Sequence, residues 1–220
     1  MSEKVAGGFG MAAFSVFWLA LFAFAAIRSD YSHLHKAVSE LGVIGAPHAL
    51  AWNLIGFIVP GLMLARFGAA LAYAIDGRRG ALWCLLVLSG VCFAATGVVP
   101  GEMRNGSPIM DSALTLGHLL ASNLAPLLWA IAAFLLIHRV NRNPVWKQMT
   151  TCVAIYAIVC VGGFVLSIVA AASAAIPGLA HMPGLVQRFC FGFYFSWFLI
   201  MALHLRAAAA RLPVGTSTNS

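Results

Sequence analysis

Charge is what this sequence is short of. Only 9% of its 220 residues are Asp, Glu, Lys or Arg, while 62% are hydrophobic; a soluble domain carries roughly 25% charged residues. So few charges cannot cover a water-soluble protein of this length. The mean hydropathy of +0.93 puts the chain among integral membrane proteins. Dense basic stretches with interleaved aromatics are also missing. The net charge of +7 therefore does not point to nucleic acid. Cysteine is sparse: Cys84, Cys92, Cys152, Cys160 and Cys190 lie within or at the ends of apolar runs, form no loop disulfide framework, and read as small apolar packers. HExxH, GxSxG and CxxCH motifs are absent, as is strand periodicity.

What the chain does have is six apolar runs, each near the roughly 20 residues a membrane span needs. They are Met11–Ile27, Ala49–Ile75, Ala81–Val99, Ala113–Ile137, Thr150–Ala172 and Phe189–Leu205. Backbone groups in lipid must pair internally, so the runs are expected to be helices. The first follows Lys4 like a targeting segment but is longer than a signal core, so it is expected to be retained. Arg78, Arg79, Arg139, Arg142, Lys147, Arg206 and Arg211 border alternate connections. By the positive-inside rule these face the cytoplasm. The expectation is an all-α bundle of six transmembrane helices with both termini cytoplasmic. One domain spans residues 1–211, followed by a disordered tail at 212–220. Gly162, Gly163 and Ala170 to Ala172 suggest a close-packed face on the fifth helix, suited to another helix or a homo-oligomer.

That orientation gathers other groups. Asp30, Glu40, Glu102 and Asp111 fall on the outer side, with His33, His35, His48, His118 and His181. Acidic residues contribute little to topology, so the rule does not explain this clustering. The stretch DYSHLHKAVSELGVIGAP, from Asp30 to Pro47, is its densest part. Read as a short helix over Tyr31 to Leu41, it puts Asp30, His33 and Glu40 near one face. His48 opens the second run and Asn53 lies deeper, where an unpaired amide is costly. Asp111 and His118 are seven residues apart on the fourth helix. Asp111 is an alternative N-cap, and Asn123 could line a polar interior.

Four chemistries suit such a cluster. A metal-dependent hydrolase or remodelling enzyme would use His48, His118, His33 and His181 as ligands for zinc or another divalent metal. Glu40, Asp30 or Asp111 would be the base, and the substrate a lipid or lipid-linked molecule met by Tyr31, Asn53 and Asn123. Metal-free chemistry through Ser32 needs His48 or His118 to approach it, because neighbouring residues on a helix do not face one another. A haem carrier could use His48 and His118 as axial ligands. A small-solute transporter fits least, since the polar groups collect at one end. Structural and lipid-binding roles stay open beside these. Arg66, inside an apolar run, suits snorkelling or a lipid phosphate.

The segment from Arg28 to Gly61 carries a resemblance. Ser39, Glu40, Leu41 and Gly42, then Gly45, Ala46 and Pro47, with Asn53 in helix two, Pro100 after helix three and His118 early in helix four, resemble the DUF998-like family. This is a prokaryotic family of multi-helix membrane proteins of unknown function. The resemblance runs from helix one to helix six. It implies about six helices and a bacterial or archaeal cytoplasmic membrane. It also implies a distant similarity to Frag1-like proteins, some linked to lipid remodelling. The chain departs from the family pattern where helix three ends, with VVPGEMR in place of an FP-acid sequence.

Overall fold

The computed structural model describes residues 2–104, 107–172 and 182–211, and side chains there except at 160, 163–172 and 211. The expected tail at 212–220 and His181 lie outside this description. The long helices among the described residues are α1 (Glu3–Ala26), α2 (Ala49–Asp76), α3 (Ala81–Val98), α4 (Ala113–Arg142), α5 (Thr150–Ala172) and α6 (Pro183–Arg211). A two-residue ribbon pairs Met103–Arg104 with Ser107–Pro108. Among the described residues five helices, α1 to α4 and α6, are long and apolar enough to cross a membrane. α1 starts earlier than expected because the Ser2 hydroxyl accepts the Val5 amide and caps it. α6 also starts earlier, at Pro183, a residue suited to a first helical turn.

Each helix packs against the next in sequence, and α6 closes the ring onto α1. Inside the ring is an aromatic core. The Phe17 ring of α1 stacks on Phe195 of α6 at 4.2 Å and meets Phe93 of α3 edge-on at 5.8 Å. Trp129 of α4 joins through Tyr194 and Trp197. A deep polar link ties this core across helices: the buried Ser89 hydroxyl donates to the Ala125 carbonyl at 2.8 Å and lies 2.9 Å from the Tyr194 hydroxyl. Leu19, Phe22, Leu50, Leu62 and Leu120 point outward and are more than half exposed, as lipid contact requires.

α2 contains a wide π-helical stretch, Asn53–Ile58. Its buried residues explain this. Trp52 and Asn53, Gly56 and Phe57, Pro60 and Gly61, Leu64 and Ala65 are buried pairs four residues apart. An α-helix repeats every 3.6 residues, so such a stripe would drift off the core, and the wider turn absorbs the mismatch. Pro60 has no amide to return to Gly56, and the Val59 amide bonds the Leu54 carbonyl instead.

The connections sort to two ends. Ile44 donates its amide to the Gly101 carbonyl, and Leu185 donates to Leu34; this is the polar end. At the other, the Asn143 side chain donates to the Ile75 carbonyl and Arg206 to Lys4; this is the basic end.

Candidate functional site

The polar end is held by hydrogen bonds that begin at two arginines. Arg28 grips the Asp30 carboxylate with Nε at 3.1 Å and Nη2 at 2.6 Å, and gives Nη1 to the Glu40 carbonyl. Lys36 Nζ reaches the same carboxylate at 2.8 Å. Arg188, from the first turns of α6, donates Nε to His33 Nδ1 at 3.0 Å and Nη2 to the Tyr31 hydroxyl at 2.8 Å. Its Nη1 serves the Lys36 and Gly184 carbonyls. Both guanidiniums also lie over the Tyr31 ring, at 5.6 and 5.5 Å. The segment 28–42 is thereby latched onto α6, and Gln187 adds a bond from the Val38 amide to its Oε1.

The expected helix over Tyr31 to Leu41 is reduced to a 3-10 turn, Val38–Leu41. Side chains divert the backbone: Ser32 Oγ accepts the His35 amide, and Glu40 Oε1 accepts the Ala37 amide at 2.8 Å. Ser32 Oγ and Glu40 Oε1 thus serve these turns.

Charge follows the same pattern. Arg28 first, then Lys36, holds the Asp30 carboxyl well below the ordinary carboxylate range. Burial raises the Tyr31 phenol, with the Arg188 charge opposing. Burial, then Arg188, lowers His33 from its ordinary 6.5. His33 accepts a guanidinium proton and so must be neutral in the latch. Protonation is harder in the folded protein than in the unfolded chain. The latch is therefore at full strength above pH 6.5 and weakens as pH falls from there toward the lowered folded value. Trypsin cleavage after Lys36 should accelerate between pH 7.5 and 5.5 relative to cleavage after Arg79, and His33→Gln should flatten that change. An equal acceleration in the variant would remove His33 from the account. Asp30 acts separately: its contribution is present above 3.8 and is lost only as pH falls through its lower folded value.

Beneath the latch lies a second set. Asn53, buried, donates Nδ2 to the Gly42 carbonyl at 2.8 Å, but its Oδ1 has no partner among the described residues. The indole Nε1 of Trp52 is likewise buried and unpaired. An acceptor and a donor left bare side by side on the sequence are costly. Gly42 touches both residues, since a side chain there would strike Asn53 and Trp52. His118, also buried, sets Nδ1 between the Thr96 carbonyl at 3.0 Å and the Val99 carbonyl at 2.9 Å. Two carbonyl acceptors require Nδ1 to carry the proton, so a neutral ring has its lone pair on Nε2. The bonds also cap the C-terminal carbonyls of α3. Gly101 lies against the same ring, so the strand of loop from Gly42 to Ile44 is tied on one side to Asn53 and on the other to the residue beside His118.

The remaining sequence candidates do not join this set. His48 is exposed, starts α2 with φ +59°, and makes no capping bond. Asp111 is exposed, and the helix cap is Ser112, whose hydroxyl accepts the Thr115 amide. Ser112 also donates to Glu102, which sits with Thr115 over α4. Asn123 is exposed and returns Nδ2 to the Leu119 carbonyl of its own helix. His35 is exposed on the latch segment. Among the described residues no three His, Cys, Asp or Glu side chains gather as a metal site.

With this geometry in view, the sequence matches a described family, "Protein of unknown function (DUF998)", over residues 11–204. The chain belongs to the DUF998 family. The match runs from within α1 through most of α6 and therefore takes in both polar sets. No curated protein and no solved structure matches the chain. Sequence reasoning passed over Arg28, Arg188 and Gln187. Arg188 had left a signal: it is a basic residue next to an apolar run on the side where basic residues are few.

Proposed function

We propose that this DUF998 protein is a six-span protein of a bacterial or archaeal cytoplasmic membrane, with both termini cytoplasmic. At its outer end it binds the polar headgroup of a lipid or lipid-linked molecule. The observation that carries this reading is the buried Asn53 Oδ1, an amide acceptor with no partner among the described residues, set against Gly42 at the polar end. The amphiphilic nature of the ligand follows from the surroundings: polar groups at one end of helices whose outer faces are apolar. His118 is the group suited to proton transfer, with Nδ1–H held by two carbonyls and the neutral ring's lone pair on Nε2.

Binding is better supported than metal-dependent hydrolysis, because Asp30, Glu40 and Glu102 are engaged in holding the backbone or the latch. The test is lipid and metal content of the untagged protein in mild detergent. Wild type should retain a lipid or lipid-linked species that Asn53→Leu loses by tenfold or more, with His118→Gln losing less. Equal retention by Asn53→Leu would overturn the headgroup site. About one transition metal per chain, lost in His118→Ala, would move the reading to the hydrolase.

A further inference from the structure

The opposite end of the bundle holds a cavity unrelated to the polar set. It has a volume of about 380 Å³ and is lined by Ile75, Asp76, Leu135, His138, Arg139 and Arg142, within the range of small-molecule pockets. Arg142 stands four residues after His138 and three after Arg139 on α4, one turn on from both, and all three line the cavity. Asp76, at the end of α2, is 6% exposed and lies 3.5 Å from Arg139 Nη1. This carboxylate answers one guanidinium. Among the described residues it leaves Arg142 and His138, both exposed, without a carboxylate partner in the same cavity.

Topology alone asks for basic residues at this end, not for a cavity. The pattern here is more specific. Asn143 ties α4 to the end of α2 through the Ile75 carbonyl at 3.2 Å, and the Asp76–Arg139 pair fixes the near wall. Ile75 and Leu135 supply an apolar side. A wall with a fixed cation, two further donors at its mouth and an apolar flank matches a phosphate ester carried on an apolar body. We propose that this pocket binds a phosphate group, with Arg142 and His138 as the primary donors and Arg139 held in place by Asp76. The phosphate is that of an anionic lipid headgroup or of a free phosphate compound, and both present the same oxygens.

The experiment uses the full chain in mild detergent, with short-chain phosphatidylglycerol, short-chain phosphatidylcholine and inorganic phosphate as separate titrants. Reaction of wild-type arginines with phenylglyoxal is followed residue by residue. Phosphatidylglycerol should slow modification of Arg142 at least fivefold while Arg78, outside the cavity, changes less than twofold. Protection by inorganic phosphate at similar concentration would make the free anion the ligand; protection by phosphatidylglycerol alone would make it the lipid. Binding of the protective titrant should weaken about tenfold in Arg142→Gln. Equal protection of Arg142 and Arg78, or none, overturns the site. Because the footprint is read on wild-type protein, a variant that fails to fold does not shield the proposal.

Discussion

Arg188→Ala is expected to lower stability by about 3 kcal/mol, a value reduced from the sum of its charged hydrogen bonds because the site is partly open to solvent. One side chain serves His33, Tyr31 and two backbone carbonyls, and its loss leaves all four acceptors to find other donors. In detergent the thermal midpoint should fall on the order of 5–10 °C. Trypsin should cut after Arg28 and Lys36 far sooner than at the basic end. Arg188→Lys should recover only a minor part, because an ammonium keeps the charge but cannot span the planar fan of partners. If lysine behaves as wild type, charge alone holds the segment and the hydrogen-bond geometry is irrelevant. A fall in midpoint without faster cleavage would place the effect in α6 rather than in the latch.

The latch also shows what the sequence could and could not say. Helices were legible because lipid removes alternatives: a run of some 20 apolar residues can satisfy its backbone in few ways. The ends of the bundle were legible from the placement of arginine and lysine. The site was less so. Asp30, His33 and Glu40 do fall in one connection, but proximity in sequence says nothing about whether an oxygen is free. Glu40 is consumed by an amide three residues back, and Asp30 by two cations. Asn53 was legible as a buried amide needing a partner, whereas the bare Trp52 indole was not, because indole burial is ordinarily hidden among core aromatics. The partner of His33 lies 155 positions away, a distance over which a single sequence carries no pairing signal. Of the small-residue face expected on α5, Gly163 and Ala170 to Ala172 lie outside the described side chains, and a Cβ added at Gly162 would meet nothing within 4 Å. A close contact lies between α2 and α3.

That contact gives the larger expected effect. Gly61 and Ala65 on α2 oppose Gly90 and Ala94 on α3, each pair four residues apart. A Cβ added at Gly90 would strike the Ala65 backbone and the Gly61 carbonyl, and one at Gly61 would strike the Ala94 backbone. Lipid tails are as apolar as leucine, so helices gain little from apolar burial against each other. Close backbone approach supplies the attraction instead. Gly90→Leu must push the helices apart along their length, since backbone cannot yield as a side-chain tip does. Roughly 4 kcal/mol or more is expected, at the upper end for single substitutions, seen as loss of a folded monodisperse species. Gly90→Ala should cost less, and Gly162→Ala close to nothing. The damage should also travel. The Thr96 and Val99 carbonyls that hold His118 are on α3 or just past it, and the Asn53 carbonyl lies against Gly97. Gly90→Ala, if folded, should therefore weaken retention of the headgroup ligand along with stability. Full ligand retention at reduced stability would mean that the polar end is organised by the latch and α6 rather than by the α2–α3 seam.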